Sequence, residues 1–199
     1  MSNLRDLLPT TAERVIRYRE ALAEHRVQPE ADVERFRETF GGALPAAGVA
    51  PETVLDELVS AVEPALVASA GPRYFGFVVG GSLDAATCAD LLTTGWDQTA
   101  FNGVTSPAAA LVEEVVGAWL KEVLGIPPQA SFGITTGAQG GNTVGLAAAR
   151  HRVLERAGWD VERDGLQGAP RIRVVAGAER HATIDRALRL LGVGAGAVE

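Results

Sequence analysis

Lysine and cysteine are the residues that this sequence has least of. Among its 199 residues are 18 basic side chains, yet Lys121 is the only lysine, and Cys88 is the only cysteine. A single cysteine excludes an internal disulfide framework and a cysteine-rich metal site. A single lysine leaves one candidate in this chain for any chemistry that needs a covalently bound lysine.

Long apolar runs and basic clusters are also absent. No stretch approaches the roughly 18 apolar residues of a membrane span, and Met1–Thr10 lacks the pattern of a signal peptide. The net charge of −7, without a basic run, argues against nucleic acids and anionic membranes as partners. With 47% hydrophobic and 22% charged residues, the composition is that of a globular protein. We therefore expect a cytoplasmic, enzyme-like protein.

The first 70 residues have the apolar spacing of helices. Thr10 begins a capping-box pattern, Asp32–Phe40 is a predicted short helix, and Pro51 suits the first turn of a third helix. Pro64 should kink or end that third helix. Their apolar stripes need a partner to cover them, so residues 1–70 are predicted to form a helical arm.

Strands and helices alternate in the second part of the sequence, residues 71–199. Ser106 and Pro107 open the clearest helix, as N-cap and first helical residue. Strands alternating with helices predict a mainly parallel sheet of the α/β class. The predicted strands are Phe132–Thr136 and Arg171–Ala176, and the other predicted helices are Asp84–Trp96, Thr143–Ala157 and Ala182–Leu191.

A glycine-rich turn, Gly137–Asn142, lies between a predicted strand and a predicted helix. Such a turn can bind phosphate through free N–H groups and the positive end of the helix dipole. It matches neither the dinucleotide fingerprint nor the P-loop, and a tight turn that only packs a helix is an equal alternative. His181 follows the next strand and should reach the same edge of the sheet, to stack on a ligand or exchange a proton. Alternatively, His181 only caps its own helix.

The remaining reactive side chains indicate structural roles. Lys121 is predicted to be a solvated lysine on the polar face of its helix, and Cys88 a buried, inert thiol. His25 and His151 are predicted to be surface residues within helices. The three histidines are too scattered to form a metal site, and no metal is expected.

Several short motifs follow one another in an order that is specific to one family. They are Pro72–Phe77, Ala89–Leu92, Ser106–Pro107, Thr136–Asn142, Ala147–Arg150 and His181–Ala187. By these motifs the chain resembles the N-terminal part of the group II pyridoxal-phosphate-dependent decarboxylases, which have aminotransferase fold type I. The resemblance implies that residues 71–199 are the first part of the cofactor-binding large domain, truncated, with an incomplete sheet and flanking helices.

The resemblance also implies roles for individual residues. The turn matching Gly137, Ala138 and Gln139 holds the phosphate of pyridoxal 5′-phosphate in this family, and the histidine matching His181 stacks on the pyridine ring. Gln139 stands where serine or threonine is common, so backbone N–H groups are expected to make the phosphate contacts. The residues that match the stretch beside the substrate are Phe77, Val78, Val79 and Gly80.

The implied function is decarboxylation of an unidentified amino acid, by a carboxy-lyase that is a homodimer at full length. The aldimine lysine and the aspartate that pairs with the pyridine nitrogen lie beyond the histidine in this family, and nothing here matches them. We therefore expect this chain to be a truncated N-terminal part, without an internal aldimine of its own. The alternatives are a non-catalytic dimerisation or phosphate-ligand-binding module, and another fold-type-I enzyme such as an aldehyde-lyase or aminotransferase.

Overall fold

The computed structural model describes residues 4–29 and 32–199, which divide into two compact units between Asp97 and Gln98. The α-helices of the first unit are α1 (Leu4–Glu20), α2 (Val33–Phe40), α3 (Pro51–Val62) and α4 (Asp84–Trp96). Those of the second unit are α5 (Pro107–Val123), α6 (Ala138–Arg156), α7 (Val161–Asp164) and α8 (Ala182–Leu190). Short 3₁₀ turns occupy Ala21–Ala23, Glu63–Ala65 and Ala195–Ala197.

The ends of α2 and α3 lie where the sequence predicts them. The Asp32 carboxylate accepts a hydrogen bond from the backbone N–H of Arg35 at 3.0 Å and caps α2. Pro51 is the first residue of α3, a position where the missing N–H costs nothing. The helix ends at Val62, and Pro64 lies in the 3₁₀ turn that follows. A proline there ends the helix because its ring clashes with the preceding turn.

Thr10 does not cap a helix, so that prediction is wrong. It lies inside α1, where its hydroxyl donates to the carbonyl oxygen of Leu7 at 2.9 Å. The helix already includes Leu4 and continues through Pro9. A threonine hydroxyl can bond to the carbonyl of the preceding turn within a helix. The capping-box spacing therefore occurs here without a helix end.

Arg19 links the end of α1 to the start of α4 through hydrogen bonds. Its guanidinium donates to the hydroxyl of Ser82 at 2.7 Å and to the Asp84 carboxylate at 2.9 Å. Helix α4 has the bounds that the sequence predicts, and its contacts place it in the first compact unit. The predicted boundary after residue 70 concerns where the cofactor-binding domain begins, and it remains a prediction.

The start of α5 is also as predicted. Ser106 is completely buried, and its hydroxyl accepts a hydrogen bond from the N–H of Ala109 at 3.3 Å. Pro107 is the first helical residue. After the helix ends at Val123, Gly125 has a φ of +65°, a left-handed conformation that glycine adopts without steric cost.

Helices α6 and α8 pack against each other in the second unit. Leu154 and Leu188 are among its fully buried side chains, and Arg150 of α6 donates to the carbonyl oxygen of Leu191 at 2.9 Å. Helix α6 begins at Ala138, five residues before the predicted Thr143, so most of the predicted turn is helical. The glycines in that turn have poor helix propensity, which tertiary packing overrides here.

The two predicted strands are not confirmed in the part of the chain that the structure describes. Residues 132–136 and 171–176 contain no strand, and the one isolated bridge here joins Val174 and Val198 in parallel. The backbone N–H of Ile134 donates to the Glu113 carboxylate at 3.3 Å instead of to a neighbouring strand. A strand requires a hydrogen-bonded ladder, and among the described residues the backbone bonds of Val174 and Ala176 to residues 197–199 amount to a single bridge.

Candidate cofactor site

The N-terminus of α6 has the features of an anion-binding site. Gly137 precedes the helix in an extended conformation, and its carbonyl oxygen accepts from the N–H of Gly141 at 3.1 Å. The N–H groups of Ala138, Gln139 and Gly140 precede this first intrahelical bond and have no acceptor within the helix. A Cβ atom on Gly137 would meet no heavy atom within 4 Å, so there is open space beside that residue, whereas the Thr135 side chain lies against Gly140. This end can bind an anion through backbone amides and the helix dipole.

The Gln139 side chain is directed at α8. Its Nε2 donates to the carbonyl oxygen of Thr183 at 3.3 Å and to the hydroxyl of Thr143 at 3.4 Å. Its Oε1 is buried without a hydrogen-bond partner among the described residues. The amide therefore links two helices, and the backbone of the α6 N-terminus remains the group that can contact an anion.

His181 is the N-cap of α8. Its ring is exposed, and Nδ1 accepts a hydrogen bond from the backbone N–H of Thr183 at 3.3 Å. The Thr183 hydroxyl lies 3.0 Å from the same nitrogen and accepts from the Asn142 amide at 2.8 Å. Thr183 thus joins the segment of the phosphate turn to the segment of the histidine. The capping role that the sequence left as an alternative is real, and the ring remains accessible.

Thr183 was missed by the sequence reasoning, and so was the pair formed by Arg180 and Asp185. Arg180 Nε donates to Asp185 Oδ1 at 3.0 Å, and both side chains are largely shielded from solvent. This ion pair links the turn before His181 to the first turn of α8. Thr183 lies two residues after His181, a spacing that allows its N–H to bond to the side chain of an N-cap residue. This spacing is too common in sequences to predict such a contact.

Comparison with known proteins places this geometry in a family context, although no family model matches the sequence. Tryptophan decarboxylase 1 of Oryza sativa subsp. japonica is 27% identical over 96% of this chain and 38% of its own length. Tyrosine decarboxylase 1 of Narcissus pseudonarcissus is 26% identical over 71% of this chain and 27% of its own length. The crystal structure of Oryza sativa TDC with PLP is 25% identical, with a TM-score of 0.82 over 98% of this chain and 43% of that chain.

In sequence and in fold, this chain resembles the group II pyridoxal-phosphate-dependent decarboxylases. It spans about 27 to 38% of the length of the two curated relatives described above. The structure of mouse CSAD shares the fold at 19% identity, with a TM-score of 0.78. The predicted family resemblance is confirmed, as is the coarse prediction of a pyridoxal-phosphate-decarboxylase fold.

The predicted substrate-side residues belong to the other compact unit, so the structure does not test their role. Phe77 and Val78 are fully exposed, with φ values of +55° and +54°. A left-handed conformation is rare for a β-branched residue and costs about 1–3 kcal/mol. Val79 and Gly80 follow in the same segment. Their place beside a substrate stays a prediction.

Lys121 differs from its prediction as a solvated surface residue. Its Nζ donates to the carbonyl oxygens of Pro128 at 2.9 Å and Ala130 at 3.2 Å. It also lies 5.6 Å from the centre of the Phe132 ring, within the range of a cation–π contact. The sequence pattern could not show this, because the loop that follows α5 has to fold back before its carbonyls reach the lysine.

The other reactive side chains have mixed outcomes. Cys88 is exposed on α4, so its prediction as a buried thiol is wrong. His25 lies after the 3₁₀ turn rather than within a helix, half-buried and edge-on to the Tyr18 ring at 5.1 Å. His151 is an exposed residue of α6, as predicted. The described residues contain no cluster of His, Cys, Asp or Glu suited to a metal ion.

Among the residues described, no helix is both long enough and apolar enough to span a bilayer.

Proposed function

We propose that this chain is the N-terminal portion of a pyridoxal-phosphate-dependent amino-acid decarboxylase. One observation carries the proposal: Thr183 ties the open, amide-rich start of α6 to the turn that presents His181. These are the two segments that hold the phosphate and the ring of the cofactor in the family that the chain resembles. Their proximity arises in a chain whose fold is similar to that of the crystal structure of Oryza sativa TDC with PLP.

The residues present fit the phosphate end of the cofactor. The N–H groups of Ala138, Gln139 and Gly140 are free of intrahelical bonds, and there is open space beside Gly137. The exposed ring of His181 offers a flat surface for the pyridine. When bound, the cofactor supplies the electron sink for cleavage of the bond to the carboxylate. The protein contributes binding at the phosphate and orientation at the ring.

Loss of the carboxylate also needs groups that no residue here matches. The family binds the cofactor covalently through a lysine, and the only lysine of this chain is held by two carbonyl oxygens and an aromatic ring. We propose that turnover requires a lysine and an acidic partner for the pyridine nitrogen from outside these 199 residues. The same proposal has three further parts. The complete enzyme is a homodimer, its amino-acid substrate lies beside residues 77–80, and it is located in the cytoplasm.

The parallel sheet is part of the proposal as well. The isolated parallel bridge between Val174 and Val198 supports it. The N–H of Ile134 has a carboxylate as its acceptor, a contact that a neighbouring strand could replace. We propose that both predicted strand segments form ladders once further strands of the large domain lie beside them.

Replacement of Ala138 by proline tests the phosphate site. Proline is tolerated at the first helical position, so Ala138→Pro removes one amide donor while keeping α6. We expect the affinity for pyridoxal phosphate and for inorganic phosphate to fall about tenfold or more, as for a lost hydrogen bond to a charged group. Backbone chemical shifts of the ¹⁵N-labelled chain, titrated with each ligand, measure this.

Two controls accompany that titration. Ala138→Ser keeps the amide and should bind at least as well as the wild type, and pyridoxal reports any binding that does not involve phosphate. The proposal predicts shifts centred on residues 138–140 with both phosphate ligands and weak shifts with pyridoxal. Equal binding by Ala138→Pro and the wild type would show that α6 does not hold the phosphate.

Aldehyde formation is a second candidate for the reaction of the complete enzyme. Phenylacetaldehyde synthase of a Rosa hybrid cultivar is 27% identical over 71% of this chain, and the structure of Rhodiola rosea 4-hydroxyphenylacetaldehyde synthase has a TM-score of 0.78. Simultaneous measurement of amine and aldehyde from each aromatic amino acid would separate the two reactions in the full-length protein.

A further inference from the structure

Thr183 is held through all of its polar groups. The residue is 8% exposed and lies between α6 and α8. Its hydroxyl contacts Asn142 and His181, its N–H donates to His181, and its carbonyl oxygen accepts from Gln139. A buried residue with every polar group paired has one orientation available to it.

The backbone of Thr183 determines which nitrogen of His181 carries the hydrogen. The Thr183 N–H lies 3.3 Å from Nδ1 and can only donate. A neutral imidazole has one donor nitrogen and one acceptor nitrogen. Because Nδ1 accepts here, the hydrogen of the neutral ring is on Nε2.

The hydroxyl of Thr183 adds a second donor to the same nitrogen. The Asn142 amide nitrogen donates to this oxygen at 2.8 Å, which leaves the hydroxyl hydrogen free for Nδ1 at 3.0 Å. The Gln139 amide has a matching constraint: its Nε2 faces the Thr183 carbonyl, an acceptor that its Oε1 could not satisfy. The side-chain amides of Asn142 and Gln139 on α6 therefore fix the position of Thr183, and Thr183 in turn fixes the imidazole of His181.

We propose that Thr183, held by Asn142 and Gln139, is a positioning residue that fixes His181 as the Nε2–H tautomer. The tautomer follows from the hydrogen bonds alone. Its catalytic meaning rests on the proposed function: a neutral ring, fixed in orientation, would stack on the cofactor without adding a positive charge beside the pyridine. The Nε2–H group would remain a hydrogen-bond donor on the other side of the ring.

Nuclear magnetic resonance of the whole chain with ¹⁵N-labelled histidine tests the tautomer without any cofactor. The spectra are recorded at about pH 8.5, two units above the ordinary imidazole pKa. Correlations between ring nitrogens and ring-carbon protons identify the protonated nitrogen, and His181→Gln assigns the signals. We expect Nε2–H to predominate in His181 by about tenfold or more, the effect of one or two hydrogen bonds.

Variants separate positioning from packing. Thr183→Val keeps the shape and the backbone donor but deletes the hydroxyl, and should lower the tautomer ratio about three- to tenfold. Thr183→Ser restores the donor and should return the ratio to within about twofold of the wild type. Thr93→Val deletes a hydroxyl of α4 that donates to the Ala89 carbonyl oxygen and contacts neither His181 nor the residues that hold Thr183, and should leave the ratio unchanged. The ring of His151 reports in every sample whether the fold is intact.

The results of this experiment can be distinguished from the results that test the proposed function. If His181 carries its hydrogen on Nδ1 in the wild type, the proposal is wrong whatever the variants do, so a variant that fails to fold does not prevent a decision. An unchanged ratio in a folded Thr183→Val would likewise overturn it. The Nε2–H tautomer without phosphate binding at α6 would instead contradict the proposed function and leave the positioning role intact.

Discussion

At the scale of single residues, Lys121 shows how a common surface residue acquires a structural role. Its ammonium group donates to two carbonyl oxygens of the loop that follows α5, and the ring of Phe132 lies nearby. A protonated amine held in this way is a poor nucleophile, because it must lose a proton and its hydrogen bonds before it can attack. The lysine therefore stabilises the loop and is not available to a cofactor.

Reduction with borohydride in the presence of pyridoxal phosphate tests this assignment. We expect no stoichiometric pyridoxyl adduct on Lys121, since its amine is engaged, and the products can be mapped by peptide mass spectrometry. Lys121→Met should leave the total adduct unchanged and lower the free energy of unfolding by about 1–2 kcal/mol through its lost hydrogen bonds.

Urea unfolding of Glu114→Gln, an exposed change on the same helix, is the matched control and should stay within about 0.5 kcal/mol of the wild type. A specific adduct on Lys121 together with decarboxylation would contradict both the structural role of this lysine and the need for another one.

At the scale of secondary structure, helix ends could be predicted and strands could not. The starts of α3 and α5 agree with the sequence because their signals are local: a proline in the first turn of each helix and, for α5, a serine three residues before the amide that it caps. The strands 132–136 and 171–176 have the right residue types. Their formation depends on neighbouring strands, which local sequence does not specify.

Ser106 provides a test of the local signals. Ser106→Ala removes the acceptor for the Ala109 N–H and should lower the free energy of unfolding by about 1 kcal/mol, within the range of 0.5–2 for a lost N-cap. Ser106→Gly should cost only a few tenths of a kcal/mol, as at other N-caps. Denaturant unfolding followed by circular dichroism measures both. Equal losses in the two variants would attribute the effect to packing of the buried side chain.

At the scale of the whole molecule, large apolar side chains remain uncovered. Leu111 and Trp119 of α5 are 62% and 63% exposed, and Leu58 of α3 is 45% exposed. Large contiguous apolar patches on a protein surface commonly bind other protein surfaces. The two curated relatives described above are more than twice as long as the part that this chain spans.

We expect the isolated chain to self-associate as its concentration rises, as measured by light scattering and sedimentation velocity. Trp119→Glu should shift the distribution towards the monomer, because a carboxylate resists burial in an apolar contact. Glu122→Gln changes a charge elsewhere on α5 and should leave the association unchanged or slightly stronger. A monodisperse wild-type monomer at all concentrations would show that these faces do not drive association.

The candidate site could be predicted in part. The phosphate turn and His181 were identified from motif order, and the structure brings their segments together, although the turn proved to be the first turn of a helix. Asn142 belonged to the recognised motif, yet its bond to Thr183 spans 41 residues of sequence. Cys88 was misjudged for a related reason, since burial depends on which face of α4 is covered.

The amino-acid sequence by itself determined the starts of α3 and α5, the order of the family motifs and the single lysine. These depend on residue types and on interactions within about four positions, which folding does not alter. Only the tertiary structure decided that Thr183 joins α6 to His181, that Lys121 is held by the loop after α5 and that Cys88 is exposed. The contacts of Thr183 and Lys121 and the exposure of Cys88 all depend on how helices and loops pack, because packing brings together groups that are distant along the chain.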